Sequence, residues 1–209
     1  MGKSKHKYKV YNGKVIKDML ENSRLFIFVI IFSVGIIVGA ASIKNNGEMI
    51  EKIKYLISSF ALKRAGQGML EIFINSFLVN IVFVILSVFF AFSLIGYPLI
   101  MFLPFIRGAA IGAISGYLYI EYKFTGLGYS LLMIYPSAVL CMVALMIIFN
   151  DSCEYSHNAY QKAISGRGHF EKDETKLFLI RQIFFTAVVA VSSFVDALSV
   201  KLFSGFFLF

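Results

Sequence analysis

The chain has 209 residues, of which 58% are hydrophobic and 15% are charged, and its mean hydropathy is +0.77. A soluble domain carries about a quarter charged residues, so this composition excludes an ordinary soluble protein. Because the apolar residues fall in long uncharged runs, the sequence predicts an all-α integral membrane protein. No polar stretch exceeds about thirty residues, which leaves no room for a separate soluble enzymatic domain.

Lysine and arginine are concentrated at the start of the chain, where seven of them lie within residues 1–24, and the net charge is +8. A basic flank beside an apolar run is the usual topology signal of a membrane protein. We therefore interpret this segment as cytoplasmic rather than as a nucleic-acid-binding tail. Residues 25–209 then form a single membrane domain. The two cysteines form no CxxC motif or Cys/His cluster, so no disulfide framework, metal site or cofactor is expected.

The first apolar run covers residues 25–43 and is long enough to span a membrane. Its 19 residues carry no charge and give about 28 Å of helix. A cleaved signal peptide is the alternative, but the run is longer than a usual signal core, so an uncleaved first span is preferred. Gly35 and Gly39 form a small-xxx-small pair on this span, which is a weak signal of helix packing.

The next segment, residues 44–71, has the pattern of an amphipathic helix. Its apolar residues recur at helical spacing, opposite a side of charged residues and serines. The segment is too short and too charged to span a membrane, and three roles stay open: it lies in the lipid interface, caps the bundle, or binds a partner. The candidate partner surface consists of Met49, Ile53, Leu56, Ile57 and Phe60.

A second span is predicted at residues 77–95, and a start as early as residue 69 is left open. Asn75 and Asn80 lie near its beginning. Amides buried in membranes bind neighbouring helices for about 0.6–2 kcal/mol each. We therefore assign both residues a structural role rather than a role in ligand binding.

The stretch 96–122 combines features that seldom share one span, because it holds Pro104, Arg107 and glycines at every fourth position. An arginine at bilayer depth costs from about 3 to more than 10 kcal/mol. Glycines spaced four apart leave a groove that another backbone can enter. The pattern predicts a helix that packs against protein, with a polar anchor beside the contact. The glycines are Gly108, Gly112 and Gly116.

Two geometries are open for this third span, predicted at residues 98–119. A continuous helix places Arg107 near mid-membrane. Alternatively, Pro104 breaks the helix, residues 99–105 form a re-entrant half-helix, and Arg107 lies closer to an interface.

A turn at residues 121–128, a fourth span at 129–149, a polar connection at 150–176 and a fifth span at about 183–203 complete the chain. Five spans place the termini on opposite sides of the membrane. With the N-terminus inside, the inner segments hold twelve Lys/Arg and the outer segments seven. This bias favours a cytoplasmic N-terminus and an external C-terminus.

Arg107 and Asp196 are the ionisable residues inside the predicted spans. Such residues are candidates for functional sites, and a pair between them is the first hypothesis. Counted from the inner ends of their helices, the two differ in depth by about 6 Å, so the pairing is left open. His157 and His169 lie in the polar connection, and their spacing fits no recognised metal-ligand set.

Several motifs follow one another along the chain. They are the first span with Gly35 and Gly39, the sequence FINSFLVN in the second span, the Arg107-Gly108 helix with its glycine repeat, and a Gly126-Leu-Gly turn before a span with Pro136. Over about residues 15–205 this layout resembles the stage II sporulation protein M family of bacterial membrane proteins. One departure is that family members often carry an amide or a histidine after the proline of span four, where this chain has Ser137.

The resemblance implies a non-enzymatic role in endospore formation. Members of this family act at the septum and the engulfing membrane, where they anchor two peptidoglycan-degrading partners, the stage II sporulation proteins D and P. The resemblance therefore implies a membrane scaffold for septal wall remodelling and engulfment. Self-association into a homo-oligomer is left open.

Two other classes of function remain as alternatives. A small-molecule transporter or permease subunit would use a broken third helix and Arg107 at a substrate path, but five spans do not divide into an inverted repeat. A membrane enzyme ranks last, because the spans show no paired acid and base groups and no catalytic motif.

Overall fold

The structure, a computed structural model, describes residues 23–43, 67–93, 95–164 and 172–203. Regular structure in these ranges is helical throughout, which confirms the all-α class. Most of the predicted amphipathic segment, including its candidate partner surface, lies outside the described residues. We label the helices α1 (Ser23–Ile43), α2 (Met69–Ala91), α3 (Gly96–Tyr129), α4 (Tyr135–Ile164) and α5 (Lys172–Phe203).

Four helical stretches in the described part of the chain are long and apolar enough to cross a membrane. They are Ser23–Ile43, Met69–Ala91, Gly96–Lys162 and Asp173–Phe203. Their length and hydropathy confirm a membrane-embedded protein. The third stretch has 67 residues, which is far longer than one crossing requires.

This long stretch is folded into two antiparallel arms at Lys123, whose backbone is non-helical at φ 49°, ψ −123°. The arms meet at both ends of their length. The hydroxyl of Tyr135 lies 3.4 Å from the Oγ of Ser115, and the Sγ of Cys153 lies 3.9 Å from the carbonyl oxygen of Tyr97. The arms thus form a helical hairpin and coincide with the predicted third and fourth spans.

Helix α3 runs through Pro104 without a break, since Lys123 is the position in it with non-helical backbone angles. Of the two geometries left open by the sequence, the continuous helix is therefore the observed one. Pro104 is buried, so neighbouring helices surround the point where its missing N–H leaves a carbonyl without an intrahelical partner.

Two predicted connections are wrong in their boundaries. The sequence predicts a reversal of the chain at residues 96–98, but these residues belong to α3. The turn before α3 is made by Ser93, whose N–H binds the carbonyl oxygen of Phe90 at 3.0 Å. The polar connection predicted at 150–176 is helical up to Ile164 and again from Lys172. Polar residues continue these helices beyond the apolar runs because helical backbone groups bind one another whatever the side chain.

Charged side chains favour the two helix ends that lie beyond the apolar runs. Asp173 and Glu174 occupy the first turn of α5, and Lys162 occupies the last turn of α4. The helix dipole stabilises negative charges at the N-terminus of a helix and positive charges at its C-terminus, so both placements are favourable. His157 and Cys153, which the sequence places in a loop, consequently lie on α4.

Helix α4 is the centre of the bundle. It supplies more than half of the main buried cluster, and its Leu145, Ile148 and Phe149 are fully inaccessible. Phe28 of α1 contacts Phe149 edge-to-face, with ring centroids 6.5 Å apart. The other helices cover α4 with buried apolar side chains at the same cluster, namely Val84 of α2, Ile100 and Leu103 of α3 and Val189 of α5.

Helices α1 and α3 approach each other so closely that a side chain would not fit between them. A Cβ on Gly112 would lie 2.8 Å from the Cα of Ile36, and one on Gly116 would lie 3.1 Å from the Cα of Ala40. Because both contacts keep the same offset, the two helices run parallel and in register. Backbone contact of this kind is the main way in which small residues associate helices in lipid. The same packing involves Gly35, Gly39 and Gly108.

We predict that Gly112→Ala destabilises the bundle by about 1–3 kcal/mol, because the methyl group overlaps the rigid backbone of Ile36. This overlap outweighs the gain in helix propensity of about 0.5–1 kcal/mol. Gly116→Ala is the matched control, since its methyl group meets Ala40 at 3.1–3.4 Å and needs only a small shift. The measurement is the midpoint of thermal unfolding in detergent micelles. Equal midpoints for the two variants would contradict the close α1–α3 contact.

Candidate functional site

A chain of hydrogen bonds crosses the middle of the bundle and begins at Arg107 of α3. Its Nη2 donates to the Oδ1 of Asn80 on α2 at 2.6 Å, and the Nδ2 of Asn80 donates to the Oγ of Ser193 on α5 at 3.3 Å. The guanidinium also lies over the ring of Phe83, 5.4 Å from its centroid. One amide therefore joins three helices and supplies the acceptor that a charged donor in a membrane needs.

A second set of hydrogen bonds surrounds Asp196 of α5. Ser76 of α2 donates its hydroxyl to the Oδ2 of Asp196, and Ser137 of α4 lies 3.2 Å from the Oδ1. Asp196 is 8% exposed and Ser76 is equally buried, so both oxygens of the carboxylate are bound within the protein. Burial of a carboxylate in lipid requires partners of this kind.

These two sets form one polar network, because their members are neighbours on shared helices. Ser76 and Asn80 lie one turn apart on α2, and Ser193 and Asp196 lie one turn apart on α5. Arg107 donates to Asn80, whereas Asp196 accepts from Ser76 and Ser137, so the two charges are held by different neutral side chains. The three residues from Ser193 to Asp196 correspond to about 4.5 Å of helix.

A π-helical segment, Ser130–Ile134, precedes the part of α4 that joins this network. Pro136 follows it and has no N–H to donate, and the N–H of Tyr135 binds the carbonyl oxygen of Ser130 five residues earlier. Ser137, the residue after the proline, then reaches Asp196. Ser137 departs from the family pattern of an amide or a histidine at this position. In the structure it nevertheless makes a polar contact, with Asp196.

The structure brings together some of the residues singled out in the sequence and leaves others apart. Arg107, Asn80 and Asp196 belong to the network, and Gly108, Gly112 and Gly116 lie against α1 on another face of α3. Asn75 is half-buried and makes no side-chain hydrogen bond within the described ranges. The adjacent residue, Ser76, makes the hydrogen bond to Asp196.

Sequence reasoning missed three serines of the network, namely Ser76, Ser137 and Ser193. Serine is common in spans, since it can bond to its own helix, and Ser33 of α1 does so with the carbonyl oxygen of Val29 at 2.8 Å. The available signal is the spacing, because Ser76 stands four residues before Asn80 and Ser193 three residues before Asp196.

The chemistry of the network is that of hydrogen bonding between helices. Its hydroxyls and its carboxylate bind one another across the contacts between helices. The described ranges contain no group of three His, Cys, Asp or Glu residues that could hold a metal ion. Each bond of this kind stabilises helix association in lipid by about 0.6–2 kcal/mol.

A second polar region lies where α1, α4 and α5 extend past their apolar runs. Arg181 binds the buried Asp151 at 2.9 Å, and Arg24 lies 3.5 Å from Glu154. A cleft of about 240 Å³ opens beside these residues. Its floor includes Tyr155 stacked on Phe178, with ring centroids 4.5 Å apart.

Cys153 lies on α4 next to this region, level with Tyr97 at the start of α3 and beyond the apolar runs. Burial raises the pKa of the Cys153 thiol to about 12, although the charge of Arg24 acts in the opposite direction. The thiol is therefore protonated at neutral pH and is a poor nucleophile. It packs as a small apolar side chain in the main core.

We predict that Asn80→Leu destabilises the bundle by about 1.5–3 kcal/mol, because it removes the acceptor of a charged donor. The double variant Asn80→Leu with Arg107→Leu recovers part of that loss, since neither polar group is then left unpaired. Ser33→Ala is the control, because its bond is to its own helix. The measurement is a double-mutant cycle of unfolding in detergent. Additive effects of the two single variants would show that the contact carries no coupling.

We also predict that native Cys153 resists maleimide at pH 7–8 and reacts after unfolding in detergent. The variant Cys141→Ala leaves Cys153 as the single thiol of the chain, so labelling reports one site. Labelling that rises through the ordinary thiol pKa of about 8.5 in the native protein would contradict this assignment.

Comparison with known proteins supplies one relation. No curated protein and no solved structure matches the chain. A family model described as Stage II sporulation protein M matches residues 28–200, which include all of α2, α3 and α4 and most of α1 and α5. The matched region contains the parallel α1–α3 contact, the hairpin and the complete polar network. The chain belongs to the stage II sporulation protein M family.

Proposed function

We propose that this sporulation-related membrane protein is a non-enzymatic scaffold. In this proposal it anchors a complex of peptidoglycan-degrading enzymes for septal wall remodelling and engulfment during endospore formation. The observation that carries the proposal is the family match over residues 28–200, on a bundle whose buried charges are bound to other side chains. The proposed partners are the stage II sporulation proteins D and P.

The polar network supports a structural role for the bundle. Arg107 and Asp196 are both held by side chains of other helices, so each charge has a partner inside the bundle. Hydrogen bonds between four helices fix their relative positions, and a rigid bundle is a suitable platform for binding partners. The hydrogen bonds of these polar groups thus support a structural role for the network rather than a catalytic one.

The proposed topology places the N-terminus in the cytoplasm and the loop between α1 and α2 outside. Helices α1 and α3 run parallel, which agrees with alternating crossings in which both run outward. The external loop contains the amphipathic segment with Met49, Ile53 and Leu56. Peptidoglycan lies outside the membrane, so this loop is the proposed docking surface for the wall hydrolases.

A transporter or permease subunit is the competing function, and the structure weakens its main argument. That argument uses a third helix broken at Pro104, of the kind that forms substrate sites in transporters. The observed α3 continues through Pro104. Arg107 donates to Asn80 and lies over the ring of Phe83, so its guanidinium already has partners within the bundle.

The test is co-purification of the tagged, full-length protein from membranes of sporulating cells. We expect recovery of a peptidoglycan hydrolase with the native chain and its loss with the double variant Ile53→Glu, Leu56→Glu, because two charges disrupt the apolar side of the segment. The matched control is Ser58→Glu with Ser59→Glu, which adds the same charges to the polar side. Membrane accumulation of each variant is measured in parallel.

One result would overturn the proposal, and a second would change the docking surface assigned to it. A stable complex with an ATPase subunit, in place of a hydrolase, would favour the permease function. Equal recovery of the hydrolase by both double variants would remove the amphipathic segment from the docking surface. A mass of the purified complex that contains more than one copy of this chain would show that it self-associates.

A further inference from the structure

The turn that joins the two arms of the α3–α4 hairpin has a strained backbone, and side-chain hydrogen bonds hold it in place. Lys123 has φ 49° and ψ −123°, a combination that corresponds to the first central residue of a type II′ turn and is normally left to glycine. Thr125 donates its hydroxyl to the carbonyl oxygen of Tyr122 at 3.0 Å, and Ser130 donates to that of Gly126 at 3.0 Å. Strain of about 1–3 kcal/mol that persists in such a framework marks a segment with a specific task.

The turn presents the most exposed large apolar side chain in the described part of the chain. Phe124 is 84% exposed and follows the strained residue directly. Leu127 and Leu131 are also exposed and lie three and seven residues further along the descending arm. That spacing puts the three side chains on one helix face. The face continues into the surface that the bundle turns toward the acyl chains.

Helix rise places Phe124 at the level of the lipid headgroups. The uncharged run of α1, residues 25–43, gives about 28 Å of helix, close to the thickness of the hydrocarbon layer, and Lys44 follows it. Ile43 packs in one buried cluster with Tyr117 and Leu118, so the boundary of the hydrocarbon meets α3 near Tyr119. Phe124 follows five residues later, about 7.5 Å along the helix axis and so at the outer edge of a headgroup layer of about 5–7 Å.

We propose that the tip of the α3–α4 hairpin is a membrane-surface anchor that inserts Phe124 into the lipid headgroup layer. The occupant of this surface is lipid, because the exposed face is continuous with the lipid-facing surface of the bundle. Lys123 stands beside the ring at the level where phosphate groups lie. Aromatic and basic side chains are the types that favour this layer.

This anchor has a consequence for the end of the bundle that carries it. A hairpin tip held in the headgroup layer fixes the depth of α3, and through the α1–α3 contact it also fixes the depth of α1. The proposal rests on the membrane location of the bundle and not on the scaffold function. The two can therefore fail independently of each other.

The test uses tryptophan fluorescence, since the chain has no tryptophan of its own. Phe124→Trp is compared with Phe194→Trp and Tyr160→Trp in the full-length protein, reconstituted in phosphatidylglycerol and phosphatidylethanolamine vesicles. Phe194 is 48% exposed beside Ser193 at mid-bundle, and Tyr160 is 48% exposed on the extension of α4 past the apolar runs. The probes thus have similar side chains and sample three different depths.

We expect nitroxide attached near the headgroup to quench Trp at 124 more than nitroxide near the end of the acyl chain. Trp at 194 should show the reverse order, and Trp at 160 should respond mainly to aqueous iodide. Emission from position 124 should be blue-shifted relative to that from position 160. Quenching at 124 by iodide as strong as at 160 would overturn the proposal. Shielding of 124 from both lipid-borne and aqueous quenchers would also overturn it, since a protein contact would then cover the tip.

Discussion

The hydrogen bond between Arg107 and Asn80 is the constraint on which the middle of the bundle depends. A guanidinium at this depth cannot be left to lipid, so an acceptor has to be brought to it by another helix. Asn80 supplies this acceptor, and its amide group also donates a hydrogen bond to Ser193 of α5. Once α2 and α5 are aligned in this way, Ser76 and Asp196 face each other one turn further along. The cost of one buried charge thereby sets the register of three helices.

Close backbone packing provides the second constraint, and it acts on the other side of α3. Gly112 and Gly116 allow α1 to lie against α3 along its length, which leaves α4 as the central helix of the bundle. Apolar side chains gain little from leaving lipid for protein, so contact area and hydrogen bonds replace the hydrophobic effect. A bundle held in this manner suits the proposed scaffold, whose docking and anchoring segments lie at the ends of the helices.

The apolar runs determined the fold class and the approximate positions of the spans, because a membrane-crossing helix requires about 20 uncharged residues whatever its neighbours are. The residues at which the helices end could not be predicted from hydropathy. Helices α4 and α5 continue into polar sequence as far as Ile164 and from Lys172, since hydropathy reports where lipid ends and not where helical hydrogen bonding ends. Continuity at Pro104 likewise depended on the surrounding helices, which sequence spacing does not describe.

By itself the sequence identified the glycine repeat, the unusual charges Arg107 and Asp196, and the family to which the chain belongs. Only the tertiary structure decided which groups meet. It assigned Arg107 to Asn80 and gave Asp196 to Ser76 and Ser137, because partner choice depends on helix rotation and on the π-helical segment before Pro136. Small residues such as serine carry no distinctive sequence signal, since their role depends on the polar atom that another helix places opposite them.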